Sequence, residues 1–311
     1  MGLTVRGGPR VAWPDVKIVS LLPSATEILF ALGAGDDVVG VTFECDFPPV
    51  ARTRRIVSTS SLPEGLTPAQ IDAAVRDRMA AGEDLYRLDR DALADLDADL
   101  VVTQDLCAVC AVDVSVVDDA LDYLGCRAEV LTLDPQTLDE VIASFVTLGE
   151  ATGSKPAADA LVESLRHRLR AVAEAVAGRD PVSVMVLEWT DPPFTPGHWV
   201  PDMVEAAGGR CLLGAAGQQS VRTTWAEVTA AAPALVVAAP CGVDLPVSAR
   251  LARQALEAGV LPPGVPVWAV DANASFARPG PRLVDGVETL AAILHPDAGV
   301  PHADSLAARV S

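Results

Sequence analysis

Lysine is nearly absent. Among 311 residues only Lys17 and Lys155 carry an ammonium side chain, and arginine raises the cation count to just 23 against 42 carboxylates. The formal charge of −19 repels phosphate backbones and anionic lipid, so nucleic acid is excluded as an expected partner. No uninterrupted apolar run approaches the roughly 18 residues that a membrane helix needs, so no membrane insertion is expected. The opening stretch, MGLTVRGGPRVAWPDVK, has neither an apolar core nor a small-residue cleavage site of a secretory signal. The sequence is therefore read as cytoplasmic, a periplasmic or extracellular location being reserved for the case of a missing export leader. In a reducing compartment Cys45, Cys107, Cys110, Cys126, Cys211 and Cys241 are expected as thiols or metal ligands rather than disulfides. Catalytic signatures are also lacking. There is no phosphate loop, no H-E-x-x-H and no Ser-His-Asp order, so the chain is not read as an enzyme.

What is present is a chain that is half hydrophobic and long enough for two domains of ordinary size. KIVSLLP (17–23) reads as a strand, and SATEILFALGAG as a helix with Ser24 as its cap and Glu27 completing a capping box. Short strands follow at 37–42, 99–103 and 128–133, separated by amphipathic helices including one over 113–124. Strands alternating with helices imply parallel sheets covered by helices. KPAADALVESLRHRLRAVAEAVAG, with Pro156 in its first turn and Gly178 at its end, reads as one long helix of roughly 30 Å. The second half repeats the first in outline. LADLDADLVVTQDLC matches VTAAAPALVVAAPCG, and SATEILFALGAG matches WVPDMVEAAGG, with an extra segment at roughly 52–90 in the first half.

The fold class is thus α/β: two Rossmann-like lobes joined by a long linker helix, with a ligand cleft between the lobes where the strand ends meet. The expected boundaries are a flexible tail over 1–15, an N-terminal lobe over 16–153 and a linker helix over 154–178. A C-terminal lobe over 179–298 and a second tail over 299–311 complete the chain.

Two cysteines three apart, Cys107 and Cys110 in TQDLCAVCAV, follow a strand. Thiolates at that spacing suit zinc or another thiophilic centre, and ligation is favoured over packing. Cys45 follows the strand at 37–42, where ligation and packing are equally good readings. His198, in TPGHWVPD, is read equally as a fourth metal ligand or as a residue bonding the backbone. Cys126, Cys211 and Cys241 are read as packing residues, and His167, His295 and His302 as solvated. Aromatic residues make up only 4% of the chain, yet Trp189, Phe194, Trp199 and Phe276 fall in loops of the second half while Phe43 and Phe47 flank Cys45. Rings in loops suit a cleft wall for a flat apolar ligand better than a core. Asn273 and Arg278 stand before a late helix, and Gln104 ends a strand. All three join the candidate ligand-binding set.

KIVSLLPSATEILFALGAGDDVVGVT, HWVPDMVEAAGG and the DLVV strand resemble the class III periplasmic binding proteins, most closely their cobalamin-binding, BtuF-like branch. The similarity runs over about residues 16–297. Its opening motif is shared by cobalamin, siderophore and haem binders. The cysteine loops at Glu44-Cys45-Asp46 and 105–110 look like those of a cytosolic subfamily and unlike those of the periplasmic carriers. The resemblance implies a small-molecule metal chelate as ligand: a cobalamin or other corrinoid, with a cysteine or His198 on its metal. It also implies a possible ABC-transporter permease partner. Carriers dock through one acidic residue per lobe; Asp91 and Glu227 fall near those places without matching the motif. A monomer is expected. The alternatives are a zinc protein using Cys45, Cys107, Cys110 and His198, perhaps an enzyme, and an importer subunit whose leader is absent from this sequence.

Overall fold

The computed structural model describes residues 5–6, 16–63, 65–81, 83, 85–104 and 128–311. The helix expected over 113–124 lies outside these residues, as do Cys107, Cys110 and Cys126. The chain divides into two compact units, one of residues 1–135 with 142–162, the other of 136–141 with 163–311.

In the first unit β1 (Val5–Arg6), β2 (Ile18–Ser20), β3 (Val38–Val41), β4 (Arg55–Ile56), β7 (Leu100–Thr103) and β8 (Glu129–Thr132) form one sheet. Its order is β1-β8-β7-β2-β3-β4. All neighbours are parallel except β1, which pairs antiparallel to β8. Every residue of Leu100–Thr103 is buried, the signature of a parallel strand covered on both faces. The extra segment noted in the sequence supplies β5 (Ser58–Ser60) and β6 (Tyr86–Leu88), an antiparallel pair, with helix α2 (Pro68–Ala81) between them. Helices α1 (Pro23–Ala31) and α3 (Arg90–Ala94) also precede α4 (Leu138–Ala151).

Helix α5 runs unbroken from Lys155 to Val176. Arg168 ties it to a late helix, its Nε 2.8 Å from Glu288 Oε1 and its Nη2 2.5 Å from both Glu288 Oε2 and Asp285 Oδ1. These contacts raise the pKa of the guanidinium further.

The second unit holds β9 (Val182–Leu187), β12 (Gly209–Cys211), β13 (Leu235–Ala238), β14 (Val267–Val270) and β15 (Ala307–Arg309), in the order β12-β9-β13-β14-β15. The first four strands are parallel. A small hairpin, β10 (Trp189–Thr190) with β11 (Pro193–Phe194), follows β9. Helices α6 (Val200–Ala206), α7 (Trp225–Ala230), α8 (Leu245–Glu257), α9 (Ala272–Ser275) and α10 (Leu283–Leu294) cover the sheet. Its core joins Met185, Leu187, Val236, Val267 and Ala269 to the inner face of α8. The tail expected over 299–311 is in fact partly a strand. β15 pairs antiparallel with β14, burying backbone donors that an open edge would leave bare.

The internal repeat is visible in local geometry. α1 and α6 both carry proline in the first turn, and a left-handed glycine follows each, Gly33 at φ 79° and Gly208 at φ 80°. Three residues before β7 and β13 the chain turns through Asp97 (φ 48°) and Ala232 (φ 50°). The capping box read at Ser24 and Glu27 does not form. Leu22 is the N-cap and makes no side-chain bond, because Pro23 occupies the first turn and draws Ser24 and Glu27 inside the helix, both buried. The box occurs instead in α7, between Thr224 and Glu227. His295, read as solvated, is buried at the end of α10 with Nε2 3.0 Å from the Gly208 carbonyl oxygen.

Candidate functional site

Open parallel sheets bind ligands outside the carboxyl ends of their strands, where neighbouring strands connect in opposite directions. That point lies between β2 and β7 in the first unit and between β9 and β13 in the second.

In the first unit the strand ends carry a buried polar cluster. Thr26 Oγ1 sits 2.9 Å from Ser20 Oγ and 3.1 Å from Cys45 Sγ, and Thr42 Oγ1 lies 3.2 Å from the same sulfur. Cys45 is 2% exposed, with these two hydroxyls against its sulfur. Gln104 and Thr103 are likewise enclosed. Phe43 and Phe47 stay exposed. Phe43 packs on Tyr86 at a centroid distance of 6.0 Å, and the Tyr86 hydroxyl donates to Glu44 Oε2 at 3.0 Å. Sequence reasoning missed Tyr86 because it comes from the extra segment, which has no counterpart in the repeat.

In the second unit Trp189 and Phe194 face each other across the β10–β11 hairpin, both half-buried. Trp189 Nε1 donates to the Asp191 carbonyl oxygen. The carboxylate of Glu188, next to this hairpin, accepts from Gly197 N at 2.8 Å. The segment after the hairpin is bound to the loop at 213–223. His198 N donates to Gln218 O, Gly217 N to His198 O, and Ser220 Oγ to Thr195 O. Two glycines permit this approach, since a methyl on Gly197 would strike the backbone nitrogen of Ser220 and one on Gly214 the carbonyl of Pro196. Beside the paired segments opens a groove of about 810 Å³ that includes Gln136, Leu213, Gln218 and Gln219.

His198 sits at φ 50° with its ring 5.6 Å from that of Trp199. Its Nε2 is buried with no hydrogen-bond partner, and burial holds its pKa below the ordinary imidazole value. Trp199 and Phe276, expected on a cleft wall, are instead interior. Phe276 is 1% exposed and its carbonyl accepts from Trp199 Nε1 at 2.7 Å. The short helix α9 turns Phe276 into the core, while Asn273 and Arg278 beside it remain half-buried. Cys211 behaves as a packing residue, its thiol pushed up to about 12 by burial and by Glu205 and Glu188.

Of the expected metal set only Cys45 and His198 fall among the described residues. Cys45 and His198 belong to different units, and no group of three or more His, Cys, Asp or Glu could hold an ion there. Zinc therefore has no described site. Cys107 and Cys110 lie outside the described residues.

The profile of the family described as periplasmic binding protein matches residues 18–258. The chain belongs to that family, and its two α/β lobes have the class III fold. It is similar to an uncharacterized ABC transporter substrate-binding lipoprotein, YvrC, of Bacillus subtilis, 28% identical over 90% of this chain and 80% of that protein. It is also similar to a cobalamin-binding protein of Halobacterium salinarum, 26% identical over 90% of this chain and 69% of that one. Among solved structures it resembles the periplasmic vitamin B12 binding protein BtuF of Vibrio cholerae, with TM-score 0.65 and 20% identity over 91% and 97% of the two chains. A periplasmic heme binding protein from Pseudomonas aeruginosa gives TM-score 0.69 and 22% identity over 95% and 98%. These two likenesses are of fold. No described helix is long and apolar enough to cross a membrane.

Proposed function

We propose that the protein binds a corrinoid at its strand ends, as the substrate-binding partner of an ABC-transporter permease and not as an enzyme. The observation that carries this reading is the Trp189–Phe194 hairpin, which follows β9 at the point where ligands enter such sheets. It offers ring faces to a flat macrocycle beside an open groove. The cobalamin-binding relative from Halobacterium salinarum, aligned over 90% of this chain, supports the corrinoid over other chelates. Phe43, Phe47, Asn273 and Arg278 remain candidates for further contacts. The enclosed Gln104, Trp199 and Phe276 act by shaping the loops.

The lipoprotein relative favours a location outside the cytoplasm over the cytosolic subfamily that the cysteine loops suggest; fractionating cells that produce the protein separates the two. Asp91 and Glu227 lie in the first turns of α3 and α7, which precede equivalent strands of the two lobes. That equivalence supports a permease docking on both. The second reading is haem, favoured by the heme-binding fold neighbour. Titration with dicyanocobinamide, cyanocobalamin and hemin in parallel distinguishes them. The corrinoids should bind and quench tryptophan fluorescence, whereas tighter binding of hemin would replace the main reading by the second.

A further inference from the structure

The groove of the second unit sets apolar surface beside amide side chains. Its apolar surface comes from Pro196, Leu213 and Val221, and three glutamines, Gln136, Gln218 and Gln219, share the lining. Among the described residues no lining side chain is charged. Leu213 is 42% exposed and Val221 54%, so both leave apolar surface open beside the amides. Leu213 also holds φ 61°, a conformation that costs a bulky side chain energy and that glycine would adopt freely. Strain and exposure coincide at one residue, a combination that is kept where function demands it. The shape is set by the backbone approaches at Gly197 and Gly214 rather than by flexible side chains.

A side-chain amide both donates and accepts, whereas a carboxylate only accepts. A wall of amides therefore pairs with ligand amides in both directions. It leaves donors of its own to a carboxylate but supplies no cation to offset the charge. The whole chain, at −19, adds long-range repulsion. We propose that this groove recognises the amide rim of the ligand, so that the protein discriminates amidated corrinoids from their carboxylate forms, with Gln218 and Gln219 as specificity-determining residues and Leu213 as the apolar platform. The inference rests on the corrinoid reading above and narrows it.

The test compares dicyanocobinamide with dicyano-cobyrinic acid, the same macrocycle with carboxylates in place of amides, by calorimetry. The intact protein should bind the carboxylate form at least about 100-fold more weakly. Gln218→Leu combined with Gln219→Leu should lower affinity for the cobinamide about tenfold with the melting temperature unchanged. Leu213→Gly should weaken cobinamide binding several-fold while the melting temperature holds or rises, because the left-handed strain is relieved. Equal binding of both ligands, or a double variant that binds as the parent does, overturns the amide discrimination and leaves the corrinoid reading standing. If neither ligand binds, both fall together.

Discussion

His198 combines a left-handed backbone with a half-buried ring whose Nε2 is buried without a partner, and this makes it a local source of pH dependence. Burial sets its folded pKa below the ordinary imidazole value. As pH falls the unfolded chain therefore takes the proton first. The stabilisation is complete above the unfolded value and is lost as pH drops through it toward the folded one. Urea melts at pH 7.5 and 5.0 should show that loss, and His198→Asn, whose side chain tolerates positive φ, should flatten it. An unchanged slope would remove the claim that this imidazole is kept neutral by burial. Cys45 poses a separate question. Enclosed by the hydroxyls of Thr26 and Thr42, it should accept Cys45→Ser at a cost of about 1 kcal/mol or less, since a hydroxyl there finds hydrogen-bond partners. Corrinoid affinity should not move, and a tenfold fall would restore the thiolate-ligand reading. With its thiol pushed up to about 12, Cys211 should resist iodoacetamide at pH 8 in the native protein. Peptide mapping reads this directly.

At the scale of elements, the loop that follows β9 depends on glycine. Gly197→Ala forces a methyl against the Ser220 backbone and should cost about 1–3 kcal/mol by overpacking, read as a lower denaturant midpoint. The tie from α5 to α10 through Arg168 is partly exposed. Arg168→Met should therefore cost on the order of 1 kcal/mol, less in high salt. Strands buried on both faces, Leu100–Thr103 and Leu235–Ala238, were legible as short apolar runs, because in a parallel sheet both faces demand the same residues. The long helix was legible from its unbroken period and its proline and glycine ends. Ser24 misled because a capping box is a pattern of residue types, and Pro23 one place earlier moves the helix start. Trp199 and Phe276 misled for a different reason. A loop position says nothing of which way a ring turns, and the Trp199 indole reaches the Phe276 carbonyl across 77 residues of chain. The groove was illegible, since glutamine and leucine in a glycine-rich loop carry no pattern of their own. Only the close approach of two backbones gives them a common face.

The whole molecule is a strongly acidic two-lobed member of the periplasmic binding protein family, for which a corrinoid is the proposed ligand. A ligand without net charge should bind with little dependence on ionic strength, unlike an anion that must approach a surface of charge −19. The most direct measurement is a calorimetric and fluorescence titration of the purified protein with dicyanocobinamide, repeated with Trp189→Phe. A dissociation constant of about 1 μM or tighter is expected, corresponding to roughly 8 kcal/mol, with tryptophan quenching that shrinks markedly in the variant. Absence of both heat and quenching with any corrinoid would contradict it.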